Sequence, residues 1–150
     1  MAIARGAGTE IIRSIHLEDV STTAKPLIFG VQHHIYTVLS VIVYADTLNA
    51  AGNRAFMYLT GYDSNAGTTA QSIQIFMQNM NTHQTFVWND KFSFNGHEPT
   101  DFTGPVDDAT KQDAIADQGS SVAQQLMIKS ANSGSDMFDV TCTYIDQNNA

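Results

Sequence analysis

Five histidines, His16, His33, His34, His83 and His97, are the residues from which a metal site in this chain would have to be built. Successive residues of a strand point to opposite faces, so His33 and His34 cannot ligate one ion together. A site would need His16 or His83 brought alongside by the fold. Hydrogen-bonded, half-buried imidazoles or subunit contacts account for the five more simply. Asp63-x-Asn65-x-Gly67 has the opening of a calcium loop, but Gln74 stands where the bidentate glutamate belongs. No acid falls between Asp63 and Asp90, so the segment reads as a turn. Cys142 is the only cysteine, which excludes an intrachain disulfide and a cysteine-based zinc site. It lies on an apolar face with no base beside it in sequence, where a cysteine acts as a small hydrophobe. No G-x-S-x-G elbow occurs, and Arg5-Gly6-Ala7-Gly8 lacks the glycine and lysine of a phosphate loop and leads into a strand. Asp107-Asp108 and Asp113/Asp117 read as a solvated helix face. The sequence therefore points away from an enzyme and implies no metal and no cofactor. The aromatics leave one other chemistry open. Trp88, Phe92, Tyr62 and Tyr58 on a common exposed face would make a sugar platform, whereas core packing of a sandwich uses the same rings inward.

The elements that would carry these residues repeat every two positions. Glu10–Glu18 (EIIRSIHLE) places Ile11, Ile15 and Leu17 on one face, with Arg13 the exception among them. Leu27–Val31 is a short apolar run. His34–Ala45 places Ile35, Thr37, Leu39, Val41 and Val43 on one face and Tyr36, Val38, Ser40, Ile42 and Tyr44 on the other. Both faces are largely apolar, which predicts a central strand covered on both sides. Arg54–Tyr62 follows a turn, and Ser72–Met80 alternates Ile73, Ile75 and Met77 against Gln74, Phe76 and Gln78. Thr85–Phe94 is interrupted at Asn89-Asp90, and Asn95-Gly96 carries a tight-turn signal. Ser121–Ser130 and Asp136–Asp146 complete the set. In the last of these, Phe138, Val140, Cys142 and Tyr144 share one face. Residues 106–118 (VDDATKQDAIADQ) follow Gly104-Pro105 with acids in the first turn, which predicts at most one short surface helix. The stretch between Gly96 and Ser120 is loop-like and long for a compact domain. These segments predict an all-β, single-domain β-sandwich of about seven to nine strands over residues 9–150. The fold is jelly-roll-like, with an extended N-terminal arm over residues 1–8.

Composition narrows the partners. The chain has 150 residues, 43% apolar and only 15% charged, with a net charge of −8. That is one domain's worth of chain with a sizeable core, and it is too charge-poor for disorder. Residues 1–89 hold four basic and five acidic groups, and residues 90–150 hold three and ten. A phosphate backbone or an anionic membrane would be repelled by the second half, so neither nucleic acid nor membrane is an expected partner. MAIARGAGTEIIRS has no apolar run of signal-peptide length, and Ile35–Ala45 is too short to span a bilayer. Synthesis in a cytosol without secretion by a signal peptide is the expectation.

Four stretches spread from end to end, RGAGTEIIRS, HHIYTVLSVIVYA, TFVWNDKFSFNG and DVTCTYIDQN, resemble small structural proteins of tailed phages, particularly marine cyanophages. The resemblance covers a little under a third of the chain and carries no catalytic signature. It implies a virion protein made in the host cytoplasm, in the first place a capsid decoration (cement) protein bound to the major capsid protein. Tail, neck or fibre-associated proteins are its competitors. Partners would be the shell and copies of the same chain. Three-fold shell positions favour a trimer, although closed symmetry alone does not select three over two. The contact would run through the arm, with Arg5, Gly6, Gly8 and Arg13 as its candidate residues.

Overall fold

The computed structural model describes residues 8–63, 68–99, 107–110, 112 and 121–149. Its described elements are eleven strands, and every strand pair is antiparallel. The first sheet contains β1 (Glu10–Val20), β11 (Met137–Asn148) and β3 (His34–Thr47) side by side. The far edge of β3 is shared by β6 (Thr85–Trp88) and β7 (Phe92–Asn95). The second sheet runs β2 (Lys25–Phe29), β10 (Gln125–Ser130), β4 (Arg54–Asp63), β5 (Thr68–Asn79). A two-stranded sheet pairs β8 (His97–Pro99) with β9 (Ser121–Ala123). The chain crosses repeatedly between the two large sheets, and the first strand lies beside the last. This is an all-β sandwich, as the period-two pattern predicts.

One core fills the space between the large sheets. Val38, Val41, Val43, Val140 and Cys142 of the first sheet meet Ala55, Met57, Leu126 and Ile128 of the second, all of them fully buried. Phe76 of β5 reaches across to Phe86 and Trp88 of β6, with ring centroids 5.1 and 5.8 Å apart. The interruption at Asn89-Asp90 separates β6 from β7 as the sequence indicates, and the inward face of β11 is the expected one.

Three bulges correct the face assignments. Along β11, Thr143 pairs with Ser40 but Tyr144 pairs with Val38, so Leu39 is an extra residue in β3. An extra residue exchanges the two faces of a strand with period two. Tyr36 and Val38 therefore point inward together with Val41, Val43 and Ala45. The expectation that β3 is covered on both sides fails: its outward Ile35 and Ile42 are 38% and 41% exposed. In β5, Met57 pairs with Phe76 and Tyr58 with Gln74, leaving Ile75 as the extra residue. Phe76 is therefore in the core, while Ile73, opposite Leu59, is 66% exposed. In β2 the skipped residue is Leu27, which lets the adjacent Leu27 and Ile28 both be buried.

Asn95-Gly96 is not a hairpin turn. Gly96 does not take the left-handed conformation such a turn needs, and β7 and β8 pair with different strands. Gly96 instead marks the passage from the first sheet to the two-stranded one. Its N–H donates to the His34 carbonyl at 2.8 Å, and its own carbonyl accepts from Gln124 N–H at 2.9 Å. The same Gln124 splits the expected Ser121–Ser130 strand into β9 and β10. Most of the helix expected over residues 106–118 lies outside the described residues; within them, Gln112 N–H donates to the Asp108 carbonyl at 3.2 Å, a single helical turn.

Candidate functional site

A polar cluster of charged side chains lies where the start of β3 meets the end of β11. Asp146 continues the inward face of β11 and is only 4% exposed. Its carboxylate accepts from Arg13 Nε at 3.0 Å and lies 2.6 Å from His34 Nδ1. Arg13 is the exception on the inward face of β1, and Asp146 explains it. Two charged side chains at inward positions of neighbouring strands satisfy each other. His34 also stacks on Tyr36, whose hydroxyl accepts from Val31 N–H at 3.1 Å. Burial and then the Asp146 charge push the Tyr36 hydroxyl up to about 12, and burial raises Tyr144 as well. Neither phenol is thereby made a better acid at neutral pH. The Arg13–Asp146–His34 arrangement ties three strands together.

The other histidines have separate partners. His16 Nδ1 lies 2.8 Å from Thr141 Oγ1, and its Nε2 is 3.6 Å from the exposed Glu18 carboxylate. His83 has left-handed backbone and places Nδ1 2.8 Å from the Tyr44 hydroxyl. His33, also left-handed, precedes β3 and accepts from Asn149 N–H through its carbonyl. His97 on β8 is held below its ordinary 6.5 by burial; a backbone hydrogen bond with Gly30 opposes this and the nearby His33 adds to it. Among the described residues, no group of three or more His, Cys, Asp or Glu side chains is placed to hold a metal ion.

The arm residues Arg5 and Gly6 lie outside the described residues. Gly8 has left-handed backbone, and its N–H donates to the Asn148 carbonyl, extending the β1–β11 ladder. The candidate sugar platform does not assemble. Trp88 and Phe92 point into the core from the first sheet, and Trp88 Nε1 is buried without a hydrogen-bond partner among the described residues. Tyr58 is on the other sheet, stacked against Phe56 at 5.0 Å rather than coplanar with it. Tyr62, next to last in β4, lies outside the described side chains.

Cys142 is fully buried, and burial raises its thiol to about 12. The native protein is therefore expected to resist a thiol reagent such as Ellman's at pH 8, with one equivalent released only on unfolding. Rapid labelling of the folded chain would show that this part of the core opens.

The two sheets differ on their outer faces. The first is broad and nearly free of charge at its centre. From β1 to the far edge it reads Ile12, Ile145, Thr37, Ser93 in one row and His16, Thr141, Ile42, Val87 in another, with Ser14, Thr143 and Ser40 between. Ile12 is 72% exposed and Val87 51%. The hydroxyls bond sideways, Ser14 to Thr143 at 3.1 Å and Thr37 to Ser93 at 2.8 Å. Glu10, Glu18 and Asp139 lie toward the two ends. The outer face of the second sheet is aromatic and cationic: Lys129 Nζ lies 5.7 Å from the Phe56 ring centre and 6.0 Å from that of Tyr58. These faces were invisible to the sequence reading, because the bulges decide which residues share them.

No protein-family model and no curated protein sequence matches this chain. Among solved structures it is similar to a chain of Bacillus endospore appendages, described as a family of disulfide-linked pili, at 14% identity and a TM-score of 0.42, covering 100% of this chain and 97% of that one. A chain of infectious bursal disease virus Gx strain aligns at 11% identity and a TM-score of 0.45, over 99% of this chain and 34% of that one. A chain of the T13 viral particle of the same virus aligns at 9% identity and a TM-score of 0.38, over 99% and 37%. The chain thus spans about a third of the two viral chains, and at these scores the likeness is too coarse to transfer a function.

Proposed function

We propose that this chain is a non-enzymatic structural protein of a tailed-phage virion, a capsid decoration protein that binds and stabilises the shell of major capsid protein. The observation that carries this reading is the outer face of the first sheet. Protein contacts are depleted in charge at their centre, because desolvating a charge is costly. Here the central residues are Ile, Val, Ser and Thr, with His16 at the β1 edge, and the hydroxyls of Ser14, Thr143, Thr37 and Ser93 already have partners within the face. Covering such a face leaves few polar groups unsatisfied. Four strand positions at about 4.8 Å and some nine residues at about 3.3 Å give on the order of 500 Å² per partner, near the lower bound for a specific interface.

Many modest contacts on a repeating shell reinforce one another by raising the effective concentration of the next. The arm, with Arg5, Gly6 and Gly8, would add backbone hydrogen bonds along a neighbour as an extra strand. Arg13, paired with Asp146, would act by holding β1 in place. The test is the number of copies of this chain per purified virion, measured by quantitative mass spectrometry against the major shell protein. Hundreds of copies in a simple ratio to the shell subunit are expected. Six to twelve would move the chain to the tail, neck or a vertex, and absence from the particle would overturn the virion reading.

A further inference from the structure

The outermost strands of a sandwich carry a row of backbone groups that must be blunted or paired. Three of the four edges of the two large sheets are blunted. β2 is five residues long and contains Pro26. β6 and β7 are separated by Asn89-Asp90-Lys91, and the ladder of β5 on β4 shifts register twice. β1 is different. Glu10 to Leu17 run beside β11 in unbroken register, and among the described residues β11 is the only strand that β1 pairs with. Asn148 N–H donates to the Thr9 carbonyl. By the alternation of an antiparallel ladder, Ile11, Arg13 and Ile15 then turn their N–H and C=O groups to β11, and Ile12, Ser14 and His16 turn theirs to the open edge. No described residue bonds the backbone of those three. The edge is closed at its far end, where Lys25 Nζ donates to the Glu18 carbonyl at 3.1 Å and Asp19 takes left-handed backbone.

We infer that β1 pairs antiparallel with β1 of a second copy of this chain, across a two-fold axis at Ser14. A strand that pairs antiparallel with itself is its own complement, so the contact closes at two copies. The register follows from the outward groups and from charge. Ser14 lies opposite Ser14 and Ile12 opposite His16, which gives about six backbone hydrogen bonds between the copies. A slip of two residues one way sets Arg13 against Arg13, and a slip the other way carries Ile11 onto the left-handed Asp19. In the register centred on Ser14, Arg13 meets Ile15 instead, and Glu10 meets Glu18 only at the exposed ends, where salt screens them. The second copy's His16 lies against Ile12, which is 72% exposed and lines a groove of about 260 Å³ with Glu10, Ile11 and Ile145. An edge of about eight residues is about 26 Å long and covers on the order of 300 Å² per copy, so the dimer is weak and reversible. Outward residues meet outward residues, so two charge-poor faces join into one of on the order of 1,000 Å². The use of that doubled face against a shell rests on the virion reading; the pairing concerns purified protein in solution and does not.

Sedimentation velocity of the full chain at tens to hundreds of micromolar is expected to show a monomer–dimer equilibrium that grows no further. Between the two ends of that range, hydrogen exchange is expected to slow at the amides of Ile12, Ser14 and His16 and to stay the same along β5. Ser14→Lys and Ser14→Glu each bring like charges together at the two-fold axis and weaken the dimer by at least about tenfold. Mixing these two variants restores a one-to-one dimer, because opposite charges then face each other. Thr23→Lys, which adds a positive charge at an exposed site in the β1–β2 connection, leaves the pairing unchanged. A monomeric wild-type chain at these concentrations, or growth beyond two copies, would overturn the inference. So would equal weakening by Thr23→Lys, or exchange that does not slow at the three β1 amides. Failure of the two Ser14 variants to pair when mixed, with folding checked by circular dichroism, would overturn it as well.

Discussion

Gly30→Ala and Gly96→Ala are each expected to abolish folding or to cost more than about 4 kcal/mol, well above the usual effect of one substitution. An added Cβ on Gly30 would lie 2.0 Å from the Gly96 carbonyl oxygen and 2.7 Å from that of Gln124. On Gly96 it would lie 2.0 Å from the Val31 carbonyl oxygen. These are backbone atoms held by their own bonds, Gly30 N–H to the Gln124 carbonyl at 2.8 Å and Gln124 N–H to the Gly96 carbonyl at 2.9 Å. No side chain can swing aside, so the whole crossing between sheets must open. Gly52→Ala is the contrasting variant. Gly52 has a φ of 81° but open space around its missing Cβ. It should stay folded and lose only about 1–2 kcal/mol to the left-handed backbone. Soluble yield and thermal unfolding followed by circular dichroism read both results. A well-folded Gly30→Ala chain would show that the close approach of these backbones is dispensable.

Asp136→Ala is expected to destabilise the fold by about 3–5 kcal/mol, lowering the melting temperature by on the order of 10 °C for a chain of this length. The Asp136 side chain is fully buried just before β11. It accepts from Ser130 Oγ at 2.6 Å, Asn53 Nδ2 at 2.9 Å, Asn49 N–H at 2.9 Å and Ser133 N–H at 3.2 Å. One carboxylate thereby fastens the β3–β4 connection to the β10–β11 connection, and removing it takes the acceptor from four donors, of which only Ser133 N–H keeps another, Ser130 Oγ at 3.4 Å. Burial pushes this carboxyl up, but the four hydrogen bonds outweigh it and hold the group below its ordinary 3.8. A folded-state value lower than the unfolded one means the stabilisation is complete above the ordinary value and is lost as pH falls through it toward the folded value. The gap in stability between wild type and Asp136→Ala should therefore narrow below about pH 4. A gap that stays constant from pH 7 to pH 3 would mean that the loops are held by something other than this charge.

Much of the architecture was legible because alternation is local. The inward face of β11, the break between β6 and β7 at Asn89-Asp90 and the all-β class each follow from residues within one strand. The charge-poor composition pointed to a surface suited to contacts, though not to which surface. Asp146 left a trace that could have been followed: it continues the inward series Phe138, Val140, Cys142, Tyr144, where a carboxylate needs a partner, and Arg13 breaks the inward series of β1 in the same way.

Three things were settled only in the folded chain. The extra residues at Leu27, Leu39 and Ile75 depend on the partner strand, since a bulge is a mismatch between two strands and neither sequence contains it alone. They decide that Ile42 and Val87 share an outer face and that Phe76 packs under Trp88. Arg13 and His34 meet Asp146 across 133 and 112 residues of chain, a separation that no local pattern spans. Gly96 carried a tight-turn signal and Gly30 lay unremarked in an apolar run, yet both are required because two backbones cross where no side chain fits. Periodicity gives each strand two faces; pairing and packing decide which face is buried and which is left to meet a partner.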